Sequence, residues 1–119
     1  MNKIYMMLDE KKDFALVKIG FASNLMIRVY QYTTHNPLTE CISVIDTMAK
    51  SKRNVEKMFH EEIEKMGLEF VKAKIDGKKT EWFKVEYDSQ LYKDIKTKGL
   101  NAFKCGKNRK NLGTYILVK

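Results

Sequence analysis

Proline, glycine and cysteine are scarce in this chain of 119 residues, and each scarcity removes a class of structure. The only proline is Pro37 and the six glycines are scattered, so no flexible linker divides the chain. No repeat or low-complexity tract is visible, which argues against solenoids and fibrous arrays. Cys41 and Cys105 lack metal-ligand spacing, which predicts two free thiols in a reducing compartment. Long hydrophobic runs are also missing. The stretch Ile4 to Leu8 is broken by Asp9 and Glu10, too early for a signal peptide or a membrane span. A cytoplasmic location is therefore expected.

What is present is apolar material for one core, at 44% of residues, and an uneven charge. The formal net charge is +8. Residues 93–119 carry eight lysines or arginines against the single acid Asp94, while residues 1–92 are almost balanced. A basic segment of this kind is the electrostatic footprint of a protein that meets phosphate backbones, and equally that of a solvated, solubilising tail. Lys104, Lys107, Arg109 and Lys110 are its candidate DNA contacts.

The apolar pattern predicts a strand over Ile4–Leu8 and a hairpin partner over Phe14–Gly20. Ser23 or Asn24 suits the N-cap of a helix running to about Tyr32, and Asn36-Pro37 marks a turn. Glu40 to Thr47 reads as a third strand. Met48, Val55, Phe59, Ile63 and Met66 recur at helical spacing, and Gly67 suits the end of that long helix. Phe70–Ile75 and Glu81–Val85 form either a hairpin around Asp76-Gly77 or a loop leading into one strand. A last helix is expected from Ser89 to about Lys98, followed by a tail that holds the β-prone Tyr115 to Val118. The pattern as a whole predicts an α/β (α+β) fold.

Within the first helix, Leu25, Arg28, Val29 and Tyr32 share one face. An arginine inside an apolar stripe snorkels to the rim, pairs with a buried acid, merely decorates the helix, or waits for a phosphate that suits its forked guanidinium. Glu56 lies beside Val55 and Phe59, with His60 one turn on. Surface solvation and packing are the ordinary roles of these two. Glu56 is also the kind of single carboxylate that, with water and phosphate oxygens, holds Mg²⁺. Tyr5 and Lys18 come from adjacent strands, where an aromatic at the core edge and a solvated lysine would be unremarkable. Together they form a pair in which the ammonium would favour a phenolate able to take a proton from water. In the segment Glu81-Trp82-Phe83, alternation puts Trp82 on the face opposite Glu81 and Phe83, for packing or for base stacking.

The order Lys3-Ile4-Tyr5, Val17-Lys18-Ile19-Gly20, Arg28, Glu56 and Glu81-Trp82-Phe83 resembles the GIY-YIG nuclease superfamily, in its phage and viral T5orf172-like branch. The resemblance covers about residues 3–87. It implies a small, mainly antiparallel three-stranded sheet flanked by helices. Residues 1–90 would form the nuclease core, with residues 91–119 a basic helix and tail of the same domain. It further implies that Tyr5, Lys18, Arg28, Tyr32 and Glu56 are catalytic, that Glu56 holds Mg²⁺ or Mn²⁺, and that His60 and Glu81 support them. Lys3 stands where the first motif has glycine, Lys18 where the second has tyrosine, and the family's late asparagine has no match. The expected activity is single-cation hydrolysis of DNA phosphodiesters with little sequence reading, a homodimer or protein partner supplying specificity. The alternatives are an inactive nucleic-acid-binding module and a small interaction or inhibitor protein on the same scaffold.

Overall fold

Two apolar runs separated by polar residues fold back on each other, as strands at Lys3–Glu10 (β1) and Ala15–Ala22 (β2). The computed structural model that shows this describes residues 2–46 and 52–106, with backbone alone for residues 46, 52–55 and 106. Met48, the Val55 side chain, the run from Tyr115 to Val118 and the basic candidates Lys107, Arg109 and Lys110 lie outside what is described.

Helix α1 (Leu25–His35) starts where Asn24 caps it, the Asn24 side chain accepting from the Ile27 N–H at 3.3 Å. It runs one turn beyond the expected end at Tyr32. Asn36, extended ahead of Pro37, then stops it and returns its N–H to the Tyr32 carbonyl at 3.0 Å. Strand β3 (Glu40–Asp46) pairs with β1 on the edge away from β2. Helix α2 (Lys52–Lys65) ends at Gly67, whose φ of +79° suits a residue without a Cβ. Helix α3 (Gln90–Lys98) begins one residue after the expected start at Ser89, whose hydroxyl caps it by accepting from the Tyr92 N–H, and 3₁₀ turns at Gly99–Ala102 and Lys104–Gly106 follow it.

The sheet has five strands, not three. Strands β4 (Phe70–Lys72) and β5 (Lys79–Val85) form the hairpin left open above, and β5 joins β2, so the order is β3-β1-β2-β5-β4 with every pairing antiparallel. Hydrophobic burial draws this hairpin in: Phe83 is fully buried, and the Phe70 ring meets it at 6.0 Å. Strand alternation then splits the apolar residues into two cores. Ile4, Met6, Val17 and Ile19 face Phe59 and Ile63 of α2, Ile95 of α3, and Leu100 and Phe103 beyond it. Tyr5, Met7 and Val44 face Leu25 and Val29 of α1. The buried Ser43 hydroxyl accepts from the Leu100 N–H at 2.9 Å and so ties the first 3₁₀ turn to β3.

Both cysteines are free, as expected. Burial pushes the Cys41 thiol up to about 12, leaving it a small, inert hydrophobe at neutral pH. Among the described residues, no helix is long and apolar enough to cross a membrane.

Candidate active site

The α1 face of the sheet gathers the chemistry-bearing residues, and the register explains how. Tyr5 of β1 pairs directly with Gly20 of β2, and its ring, 2% exposed, lies over that glycine. A Cβ at Gly20 would sit 2.5 Å from the Tyr5 Cζ and 2.9 Å from its Cε1, so only glycine leaves room for the ring there. Lys18, two residues before Gly20, points to the same side. Trp82 of β5 stands opposite Lys18.

Helix α1 closes over this surface. Its Leu25 and Val29 are buried, while Arg28 and Tyr32 sit half-buried on the same face. The Tyr32 ring lies 6.4 Å from that of Tyr5 and meets the Trp82 indole edge-on at 6.2 Å. Lys18 Nζ stands 4.5 Å from the centre of the Tyr32 ring and 2.7 Å from Glu81 Oε2. The Tyr32 hydroxyl is within hydrogen-bonding reach of both Tyr5 and Lys18. Tyr5, Lys18, Arg28, Tyr32 and Glu81, widely spaced in sequence, thus share one corner of the fold.

The charges there differ from the sequence expectation. Burial raises the Tyr5 phenol far above its usual range near pH 10, and its hydrogen bond to Tyr32 raises it further. The group that opposes this is the Arg28 guanidinium. Burial alone would lower the Lys18 ammonium, but its bonds to Glu81 and Tyr32 outweigh that and hold it above its usual value. The picture of Lys18 drawing Tyr5 toward a phenolate is therefore corrected: the lysine's charge is engaged by Glu81 and Tyr32, and Tyr5 is a neutral phenol at physiological pH.

That correction has a measurable consequence. A phenol whose pKa is higher folded than unfolded stabilises the fold fully below its unfolded value, and the stabilisation fades as pH rises past it. Thermal melts from about pH 8 to about pH 11 should show a steeper alkaline loss in the wild type than in Tyr5→Phe. Parallel curves would show that Tyr5 is not the buried neutral group described.

Arg28 forms no salt bridge among the described residues, and its charge acts on the Tyr5 phenol. Among the described residues, then, no buried acid pairs with Arg28. Glu56 lies half-buried early in α2, the helix whose Phe59 and Ile63 pack on the opposite sheet face. His60 sits away from the Tyr5 corner. Its ring packs edge-on to Phe70 at 5.0 Å, and its buried Nε2 has no hydrogen-bond partner among the described residues. Lys104 is exposed near α2, where its backbone N–H donates to Glu62 Oε2 at 2.8 Å.

Sequence reasoning left one feature of the corner unassigned, the Glu81–Lys18 ion pair. Alternation predicts that Glu81 shares a face with Phe83, but β2–β5 pairing runs only to Lys18 opposite Trp82, and the carboxylate one residue beyond it reaches Lys18. Trp82, which alternation with Phe83 offered for packing or for an active-site wall, meets the Tyr32 ring edge-on.

A family model described as the T5orf172 domain matches residues 2–97. The chain belongs to that family. The match spans every strand of the sheet and nearly all of α3, so the whole T5orf172 domain frames the Tyr5 corner. The family is associated with nuclease-like folds. No curated protein and no solved structure matches this T5orf172 domain.

Proposed function

We propose that the chain is a metal-dependent endonuclease of the GIY-YIG type that hydrolyses DNA phosphodiester bonds. The observation that carries this reading is the half-buried Arg28 guanidinium, which has no salt bridge among the described residues and whose charge acts on the Tyr5 phenol, with Tyr32 one turn on along the same helix face. A half-buried guanidinium with no acidic partner among the described residues suits an anion such as a phosphate.

Within that reading, Arg28 takes the oxygens of the scissile phosphate and stabilises the charge that builds there during attack. Tyr5, hydrogen-bonded to Tyr32, orients the attacking water through its phenol oxygen. Lys18, anchored by Glu81, holds the Tyr32 hydroxyl in place. Among the described residues, no three His, Cys, Asp or Glu side chains gather into a metal cage. Glu56, half-buried early in α2, is the residue that would hold Mg²⁺ or Mn²⁺, with water and phosphate oxygens completing the shell. Such a cation, when bound, supplies Lewis-acid neutralisation of the phosphate. Lys104, with Lys107, Arg109 and Lys110, tracks the backbone without reading sequence, and a second copy or a partner supplies selectivity.

A binding module without turnover is the second reading. It is favoured by the neutral Tyr5 and by α2 packing on the sheet face away from it. Supercoiled plasmid and short branched DNA, incubated with Mg²⁺ or Mn²⁺ and separately with EDTA, discriminate the two. Cutting that requires the cation is expected. Salt-sensitive binding without cutting would put the binding module in its place.

A further inference from the structure

Beside the Tyr5 corner lies a cavity of about 440 Å³ that the proposed cleavage chemistry does not use. Tyr32 and Trp82 form a wall common to both, and Val71 of β4 adds an apolar side. Asp9, only 4% exposed, also lines the cavity, its Oδ2 held by the Asn36 amide at 2.7 Å and by Lys11 at 3.0 Å. Lys72 and Lys74, both exposed, stand at its rim. Its volume falls in the range of roughly 300–1,000 Å³ common for small-ligand pockets.

We infer that this cavity takes one unpaired nucleobase of the DNA, next to the phosphate held by Arg28. The inference rests on the nuclease reading only for the identity of that phosphate. Flat aromatic walls suit the π-face of a base, and an indole partly open to solvent gains by being covered. A buried carboxylate kept in place by an amide and an ammonium is an acceptor for an exocyclic amino group, which favours cytosine or adenine over thymine. The rim lysines meet the phosphates on either side of the extruded nucleotide. A paired base cannot enter such a pocket, so the preferred substrate is DNA with a bulge, flap or single-stranded junction.

Trp82 is the only tryptophan, so its fluorescence reports directly on the cavity wall. Three short duplexes would be titrated in EDTA: fully paired, with one bulged cytosine, and with an abasic bulge. The bulged cytosine should quench Trp82 and bind about tenfold tighter than either of the others. Ala73→Phe fills the cavity while keeping both backbone hydrogen bonds of residue 73, to Lys78 and Gly77, and should erase that difference. Equal binding of all three duplexes would overturn the inference, as would a preference that survives Ala73→Phe. Cleavage assays with Mg²⁺ separate the two levels. Cutting without preference for the bulge defeats the base pocket alone, and preference without cutting defeats the nuclease reading alone.

Discussion

Arg28→Ala should lower the rate of DNA cleavage by about 10²–10³-fold while DNA binding falls far less. The guanidinium sits half-buried on α1, and removing it breaks no ion pair among the described residues. What is lost is stabilisation of charge that appears only as the phosphate is attacked. A loss confined to the transition state lowers kcat rather than raising KM. Arg28→Lys tests the geometry behind this claim. A lysine keeps the charge but not the two parallel N–H donors, so it should recover binding and little of the rate. Single-turnover cleavage beside equilibrium binding makes the comparison. A variant that binds weakly and cuts normally once saturated would assign Arg28 to ground-state affinity instead.

Gly20→Ala should be the most damaging single methyl in the fold. The added Cβ would lie 2.5 Å from the Tyr5 Cζ, and Tyr5 is 2% exposed, so the ring has no free space to enter. Either the ring turns out of its place under α1 or β1 and β2 part at their centre. Overpacking of this kind costs about 1–3 kcal/mol, a fall of several degrees in Tm for a domain of this size. Cleavage should fall too, because Tyr5 no longer holds its hydroxyl beside Tyr32 and Arg28. The double variant Gly20→Ala with Tyr5→Leu separates the two effects. Removing the ring relieves the clash, so stability should return while activity does not. Calorimetric melts and the cleavage assay read these outcomes, and a Gly20→Ala protein as stable as wild type would deny the contact.

Parts of this site were legible in the sequence because they obey short-range periodicities. The i, i+3, i+4, i+7 spacing from Leu25 to Tyr32 placed Arg28 and Tyr32 on one face, and the observed helix keeps them there. Alternation in β1 and β2 predicted that Tyr5 and Lys18 come from paired strands, and the register puts both on the α1 side. What escaped depends on distances across the sheet. The Lys18–Glu81 ion pair joins strands 63 positions apart, through a carboxylate just past the last paired residue. The direction of the Tyr5 shift follows from burial, which no motif encodes, so a neighbouring lysine suggested a phenolate where the fold keeps a phenol. The fourth and fifth strands were ambiguous because β4 is only three residues long and gains its place through Phe70 packing on Phe83. His60, one turn from Glu56, takes the ordinary role its place on the helix suggested: its ring packs on Phe70.

The most direct test compares Glu56→Gln with Glu64→Gln in plasmid cleavage with Mg²⁺, with Mn²⁺ and with EDTA. Both glutamates lie on α2, and Glu64 is exposed, with a long 3.8 Å ion pair to Lys79. The account predicts that wild type and Glu64→Gln cut with either cation, that EDTA stops both, and that Glu56→Gln cuts with neither. Cleavage by Glu56→Gln at the wild-type rate, or cutting that persists in EDTA, would contradict a metal-dependent nuclease built on this fold.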